Sequence, residues 1–476
     1  MKPRFHVTVT LPISGRSAGL RVILTETGVF WPLVMFMNSR AHKHKSLSWQ
    51  NKCSHAIGAL LDYTHSVPFP EQLARRQQYL SGFVQKLQSG TTSDGDDATG
   101  LYWHKMSSMS LAEVLKYVNK FSDFCVQKFE VPSLNPMTEA TFEQRLAAYR
   151  HFDLKNENSL LKHLGNRKAF WRDASVARET VGPRKPKVAK RRPPFFPRDQ
   201  ILPLLQRGLC SKSSGPMWSR YNVRDLMIVI LQRFGGLRES EPFHLYVTDI
   251  HENREKPGHA EVRLYHPETG RFTSLNRLTG KLDHQKRSEF LKQRYGRVPR
   301  NLMHGKERAG WKDLLLDFDE PHNYCLVRWF PEFWGKIFWD LYKVYCDHLL
   351  PSGLAHPYLF INLSGAANHG APYQLSAYNS NLRAAVVRIG LEPEKRQGTT
   401  SHGLRHGYAQ DLTEAKSKDE IIQICMHHNS IFSQEPYKCP SYEKINRELN
   451  RGFRILQECH PIVSTIADEA GHLWKG

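Results

Sequence analysis

One segment of this 476-residue chain limits its fold, because it can form neither a helix nor an interior strand. Residues 183–198 read PRKPKVAKRRPPFFPR, with five prolines, seven Lys or Arg residues and no acidic residue. Proline has a fixed φ and no amide N–H, so we expect the segment to be extended. It divides the chain into two parts of domain size. It is either a solvated tether or a cationic strap along a phosphate backbone.

The chain also carries a large excess of positive charge. Its 67 Lys and Arg residues against 46 Asp and Glu give a formal net charge of +21. Such a charge indicates a polyanionic partner, which is either nucleic acid or an anionic membrane surface. Hydrophobic residues make up 40% of the chain, and this globular composition excludes wholesale disorder.

The sequence gives little support for a membrane protein or for a disulfide-rich secreted protein. The longest apolar run, residues 29–37, contains Pro32 and falls far short of the ~18 residues of a spanning helix. The N-terminal residues lack the uninterrupted apolar region of a secretory signal. The eight cysteines stand singly, without a CxxC pair. We therefore expect a reduced, cytoplasmic protein that does not bind membrane.

The part before the linker shows two patterns. Residues 1–45 contain short runs of β-forming residues and are expected to form an extension, either an arm that binds the polyanionic partner or a packing element. Residues 46–182 carry apolar residues at three- and four-residue spacing, which predicts a helical domain. Ser110, with Glu113 three residues later, is expected to open one of its helices through a capping box.

The part after the linker, residues 199–445, reads as mostly α with a small antiparallel sheet. A buried helix that begins near Val223 should end at the Gly235-Gly236 pair. Strands are predicted at residues 243–249, 260–266 and 324–330, with a basic insertion of about fifty residues between the last two. Helices are predicted at residues 332–349, 376–389, 402–414 and 419–427, and a tail helix at 446–476.

Three short clusters in this part contain side chains capable of chemistry. They are GLRESE at 236–241, SHGLRHG at 401–407 and HHNS at 427–430, with Tyr437 nine residues after His428. Each alone has an ordinary explanation, such as a surface ion pair or a polar helix face. His402 and His406, four apart, match a metal pair, but the Glu of HExxH is missing and Arg405 would repel a cation. One of the two adjacent histidines is expected to serve packing.

Together the clusters supply what phosphoryl transfer without a metal requires. Two arginines can clamp the oxygens of one phosphate through planar bidentate donors. Histidines can hydrogen-bond the same phosphate or move protons near neutral pH. A tyrosine can attack phosphorus as a covalent nucleophile, and the guanidinium charges can stabilise the transition state.

In this order and spacing, GLRESE, HGLRH and HHNS with a tyrosine at +9 resemble the catalytic motifs of the tyrosine recombinase, or phage integrase, family. The resemblance covers roughly residues 196–445. It implies the tyrosine-recombinase catalytic fold for residues 199–445, preceded by a core-binding-like domain at 46–182, the two forming a C-shaped clamp around DNA. The catalytic residues that it implies are Arg238, His402, Arg405, His428 and Tyr437.

The reaction implied by the resemblance cuts and rejoins double-stranded DNA without a cofactor or metal. Tyr437 would form a 3′-phosphotyrosyl link and release a 5′-hydroxyl, and the hydroxyl of a partner strand would reverse the step. The two arginines would bind the phosphate, and His402 and His428 would assist proton transfer. The resemblance further implies an integrase of a mobile element that works as a homotetramer on synapsed sites, possibly with accessory proteins of that element. The tail would pack on its own domain or on a neighbouring protomer.

The chain departs from the family pattern at the catalytic lysine. The family usually places this residue on the turn between the second and third strands, where this chain has its insertion. Lys312 is our choice and Lys281 the second, while Arg271 closes the hairpin itself. Tyr442 is a rival nucleophile fourteen residues after His428, and Glu241 is interpreted as support for an arginine.

Three other functions stay open at this point. A type IB topoisomerase-like enzyme would share the chemistry but relax DNA as a monomer. A DNA-binding regulator would keep the fold with an inactive site. A metal-dependent hydrolase would use His402, His406 and His428 as ligands.

Overall fold

The computed structural model forms two compact units, Met1–Val188 and Ala189–Gly476, whose boundary falls inside the proline-rich segment. Within the residues that the structure describes, no helix is both long and apolar enough to cross a bilayer. Those residues are 6–13, 16–43, 45–68, 73–92, 96–157, 174–180, 182, 192–211, 214–275, 280, 282–303, 305–365, 368–429, 433, 451, 454 and 458.

The first unit combines an antiparallel meander with helices. The meander consists of β1 (Val7–Ile13), β2 (Arg16–Thr25) and β3 (Gly28–Val29), paired in that order. The helices are α1 (Trp31–Asn38), α2 (Leu47–Ser66), α3 (Leu73–Ser89), α4 (Ser108–Phe129) and α5 (Phe142–Glu157). A short antiparallel pair is formed by β4 (Met137–Glu139) and β5 (Val176–Arg178).

One apolar core joins the meander to the helices of this unit. Val22 and Ile23 of β2 are buried together with Ile57 of α2, Phe83 of α3 and Val118 of α4. The described residues among the first 45 thus pack on the helical region. Which of the two roles expected for residues 1–45 they fulfil stays a prediction.

Two local features of the first unit differ from the sequence prediction. Helix α1 lies in a run that we did not predict to be helical, with Pro32 in its first turn, where a missing N–H costs no hydrogen bond. The capping prediction at Ser110 is wrong by three residues. Helix α4 begins at Ser108, and the Ser107 hydroxyl accepts the Ser110 amide hydrogen bond at 3.2 Å.

The second unit is mostly helical around a small antiparallel sheet, as predicted. Helix α6 (Val223–Arg233) is buried along its whole length, so it lies at the centre of the apolar core. The sheet has the order β10 (Tyr324–Leu326), β7 (Ala260–Tyr265), β6 (Ile250–Glu252). The insertion between β7 and β10 contains the hairpin β8 (Arg271–Leu275) and β9 (Leu282–Lys286), followed by α7 (Arg287–Tyr295). The later helices are α8 (Trp334–His348), α9 (Leu375–Arg388), α10 (Ser401–Glu414) and α11 (Asp419–Cys425).

The predicted strand at 243–249 is wrong. Two 3-10 turns, Glu241–His244 and Val247–Asp249, occupy this stretch instead. The Asp249 carboxylate accepts the Tyr246 amide hydrogen bond at 2.7 Å and pairs with the fully buried Arg287, which fixes the turn. The strand predicted at 324–330 is limited to Tyr324–Leu326, while the four later helices agree with the prediction within two residues.

The described end of the proline-rich segment is docked on α10. The Phe196 amide donates to the Gly403 carbonyl at 3.0 Å, and Arg198 pairs with Asp411 and Glu414 at 2.7 Å each. Arg192 lies 3.6 Å from Glu414. These contacts fix residues 192–198 on the helix that carries the HGLRH motif. Residues 183–191, which hold most of the charge of the segment, lie outside the described residues.

Candidate active site

Arg238 follows a turn that requires its two glycines. Gly236 has φ +70°, and a Cβ there would lie 2.6 Å from the Tyr408 ring, so a larger residue would clash as well as strain the backbone. Beyond this turn Arg238 donates to Glu241 twice, from its backbone amide and from Nη1, both at 2.6 Å. The side chain of Arg238 keeps 18% of its surface exposed, whereas that of Glu241 keeps 1%.

The motif on helix α10 also contains two glycines, which allow close packing against Gly398 and against Arg233 of α6. A Cβ on Gly403 would overlap the Gly398 carbonyl, and a Cβ on Gly407 would lie 2.9 Å from the Arg233 side chain. Arg405 of the same motif is buried and donates to the carbonyl oxygens of Gly236 and Met426. Arg405 therefore bonds the turn before Arg238 to the turn that follows α11.

Glu241 lies between the two arginines. Its carboxylate is 2.6 Å from Arg238 Nη1 and 3.8 Å from Arg405 Nη1. Burial alone would raise the pKa of Glu241, but the charges of Arg405 and Arg238 and the backbone hydrogen bond outweigh it and lower that pKa. The ionised carboxylate thus lies beside both guanidinium groups, whereas the sequence led us to expect support for one arginine.

The two adjacent histidines have different surroundings. His427 is fully buried with φ +50°, and its Nε2 hydrogen-bonds the Leu326 carbonyl at 3.0 Å, so it anchors the turn to β10. The amide of His428 donates to the Gln423 carbonyl at 2.9 Å. Burial, followed by the charges of Arg405 and Arg238, lowers the pKa of His428 to about 3. The imidazole is therefore neutral at physiological pH.

His402 lies on the more accessible side of α10, with 55% of its side chain exposed. Its Nε2 is 3.6 Å from the Glu239 carboxylate. Burial lowers the pKa of His402; Glu239 opposes the shift, and the charges of Lys395, Lys312 and Arg405 add to it. Lys312 therefore lies near enough to His402 to act on it.

Lys312 is exposed on a loop that two hydrogen bonds fix to the site. Two residues earlier, the Gly310 carbonyl accepts from His244 Nε2 at 3.1 Å. Three residues later, the Leu315 amide donates to the His427 carbonyl at 3.4 Å. The insertion itself is held by the buried Arg300, which donates to the backbone carbonyls of Phe243, Glu307 and Tyr373.

Other predicted residues lie apart from this cluster or outside the described residues. Arg271 begins β8 and lines a separate cleft with His284 and Lys286. Lys281, Tyr437 and Tyr442 lie outside the described residues, as does the predicted tail helix apart from Arg451, Arg454 and Glu458. Across the described parts of the chain, no group of three or more His, Cys, Asp or Glu side chains is placed to hold a metal ion.

Sequence reasoning gave no role to Glu239, although it lies inside the first motif. Its carboxylate accepts a hydrogen bond from Asn379 of α9 and lies beside His402. With Lys395 and Arg383 these residues line a cleft of about 270 Å³. The sequence signal for Glu239 was its position directly after Arg238. Its partners Asn379 and His402 could not be recognised, because they are distant in sequence.

No family model matches the chain, and no curated protein matches it. Similar solved structures include the XerH site-specific recombinase bound to palindromic difH substrate, with 12% identity and a TM-score of 0.45, covering 85% of this chain and 79% of that one. Lambda integrase bound as a dimer to a COC′ core site has 11% identity and a TM-score of 0.40, and the match covers 86% of this chain and 94% of the integrase chain. The Tn1549 transposon integrase with circular intermediate DNA has 11% identity and a TM-score of 0.38, and the match covers 88% of this chain and 98% of the integrase chain.

Proposed function

We propose that this protein is a tyrosine-type site-specific DNA recombinase that cuts and rejoins double-stranded DNA through a 3′-phosphotyrosyl intermediate. The observation that supports this most is the convergence of three distant motifs. Arg238, Arg405 and Glu241 form one ion cluster, and the pKa of His428 responds to both arginines. Two guanidinium groups next to a neutral imidazole form a suitable receptor for one phosphodiester.

The two arginines divide the work of binding phosphate. Arg238 is the more exposed of the two. Because its guanidinium donates a hydrogen bond to Glu241, it is oriented before substrate arrives. Arg405 contributes buried positive charge while it bonds two backbone carbonyls. Charge fixed in a poorly hydrated site stabilises the pentavalent transition state at little cost of reorganisation.

The histidines and Lys312 account for the protons. Tyr437 forms the new O–P bond, the bond from phosphorus to the 5′-oxygen breaks, and the phenolic proton passes to His402. Neutral His428 donates a hydrogen bond to a nonbridging oxygen of the phosphate. The two arginines lower the pKa of His428, and the negative charge of this oxygen opposes that shift. Lys312, as an ammonium, gives a proton to the leaving 5′-oxygen. Each bond broken is matched by one formed, so no external energy source is needed.

We also propose a partner, a cellular location and an assembly state for the enzyme. The net charge of +21 suits a DNA partner. We infer an integrase of a mobile element that acts in the cytoplasm, as a homotetramer on synapsed sites, possibly with accessory proteins of that element. A topoisomerase-like enzyme and an inactive DNA-binding regulator are the alternatives that the experiment must separate.

A nicked suicide duplex tests the function. Candidate sites from the flanks of the gene are incubated with the protein in EDTA, and covalent adducts are resolved on denaturing gels. We expect an adduct that disappears in Tyr437→Phe and persists in the matched variant Tyr442→Phe. Loss of the adduct with EDTA would indicate a metal enzyme, and binding without any adduct would indicate a regulator. Adduct with plasmid relaxation but no strand exchange would indicate a topoisomerase.

A further inference from the structure

Glu239 is in contact with the candidate site but has no role in the reaction described above. One carboxylate oxygen accepts a hydrogen bond from Asn379 Nδ2, and the other lies 3.6 Å from His402 Nε2. The three residues come from the turn after α6, from α9 and from α10, so they join three separate elements. Glu239 is 25% exposed, and its charge is only partly screened by solvent.

We propose that Glu239, held by Asn379, is a positioning residue that orients His402 and stabilises its protonated form; this rests on the proposed function. A carboxylate beside Nε2 favours the tautomer with the proton on that nitrogen. Nδ1 is then the ring nitrogen that can accept the proton of the nucleophile. The imidazolium formed in that step is stabilised by the adjacent negative charge, and no bond to Glu239 changes.

The charges around His402 explain why such a carboxylate is needed. Lys395, Lys312 and Arg405 all act against a positive charge on His402, and His406 of the same helix lies with its ring centroid 6.3 Å away. Glu239 acts in the opposite direction. In a site built from cations, a general base needs one nearby anion to remain a useful proton acceptor.

The test uses Glu239→Gln in the full-length protein. Glutamine keeps the shape and can still accept the hydrogen bond from Asn379, but it removes the charge. Cleavage of the suicide duplex is measured from pH 5.5 to pH 9, and the pKa of His402 is followed by NMR of histidine-labelled protein. We expect the acid limb of the rate profile and the pKa of His402 to move together to lower pH, with a plateau rate about tenfold lower.

Matched variants make the result specific. Glu239→Asp should restore part of the plateau rate, and Glu255→Gln, an exposed carboxylate in the β6–β7 turn, should leave the profile unchanged. If Glu239→Gln does not fold, Asn379→Ala replaces it and should move the profile in the same direction by a smaller amount.

The outcomes distinguish this inference from the proposed function. An adduct that forms with an unchanged acid limb and an unchanged pKa of His402 would overturn the positioning role alone. Absence of any adduct in the unsubstituted protein would overturn the proposed function. The NMR titration would still report whether Glu239 acts on His402.

Discussion

At the scale of single residues, the two site arginines differ in how much of the fold depends on them. Arg405 keeps only 6% of its side chain exposed and bonds two backbone carbonyls, whereas Arg238 keeps 18% and bonds Glu241. In the proposed reaction both contact the scissile phosphate. Arg405 also holds two parts of the site together, because it donates hydrogen bonds to the turn after α6 and to the turn after α11.

Lysine substitutions separate these roles. We expect Arg238→Lys and Arg405→Lys each to lower the rate of adduct formation by about 100-fold or more, since a lysine cannot reproduce planar bidentate donation. Arg405→Lys should also lower the free energy of unfolding by roughly 2 kcal/mol, because a buried carbonyl loses its donor. Urea denaturation and single-turnover cleavage measure the two effects. Equal losses of stability in the two variants would contradict the distinction.

Several residues of the proposed site could be named from the sequence because each lies within a short motif. Arg238, His402, Arg405 and His428 are of this kind, and the structure brings their elements together. Glu239 could not be assigned, since Asn379 is 140 residues away in sequence. Lys312 was chosen by order along the chain, and its proximity to His402 depends on how the insertion returns to the site.

At the scale of elements, α10 is the helix that organises the site. Asp411, near its C-terminal end, pairs at 2.6 Å with the buried Arg233 of α6 and at 2.7 Å with Arg198 of the proline-rich segment. His402 and Arg405 lie on the first turns of the same helix. An ion cluster therefore fixes the end of α10 that lies opposite to these two side chains.

Asp411→Asn tests this anchoring. Removing one partner of a buried pair leaves Arg233 uncompensated, so we expect a loss of about 3 kcal/mol in the free energy of unfolding. The matched variant Asp340→Asn breaks an exposed pair with Lys343 and should cost less than about 1 kcal/mol. Chemical denaturation compares the two. A loss in Asp411→Asn no larger than that of the control would show that the cluster does not anchor α10.

In the second unit, the limits of the later helices were predicted more closely than the strands at 243–249 and 324–330. Helices α8 to α10 show apolar periodicity over several turns, and their limits were predicted closely. The error at 243–249 arose because alternating aromatic and β-branched residues resemble a strand, whereas the side chain of Asp249 stabilises a turn. Such a turn depends on Arg287, which follows a hairpin distant in sequence.

At the scale of the whole molecule, buried neutral histidines make the fold sensitive to acid. The largest of their pKa shifts, each caused first by burial, lower the pKa to about 3 for His244 and His428 and to about 4 for His356 and His406. Unfolding returns each to an ordinary pKa near 6.5. Above pH 6.5 both states are neutral. Between pH 6.5 and 4 only the unfolded state takes up protons, so stability falls as pH decreases.

We expect the free energy of unfolding to decrease by up to ~1.4 kcal/mol per pH unit for each such histidine. The measurement is urea denaturation between pH 7.5 and pH 5, combined with calorimetry in buffers of different ionisation enthalpy to count protons. Net uptake of protons on unfolding at pH 5.5 is the expected result. A stability that does not change between pH 7.5 and pH 5 would contradict it.

In the proposed reaction, Tyr437 becomes covalently bound to DNA at the site formed by Arg238, Arg405 and His428. Mass spectrometry of the adduct on a nicked duplex, after digestion by protease and nuclease, identifies both the residue and the polarity of the link. We predict a peptide with a nucleotide 3′-phosphate on Tyr437, formed in the presence of EDTA. A nucleotide on Tyr442, a 5′-phosphate link, or no modified tyrosine on DNA that the protein binds would contradict this reaction.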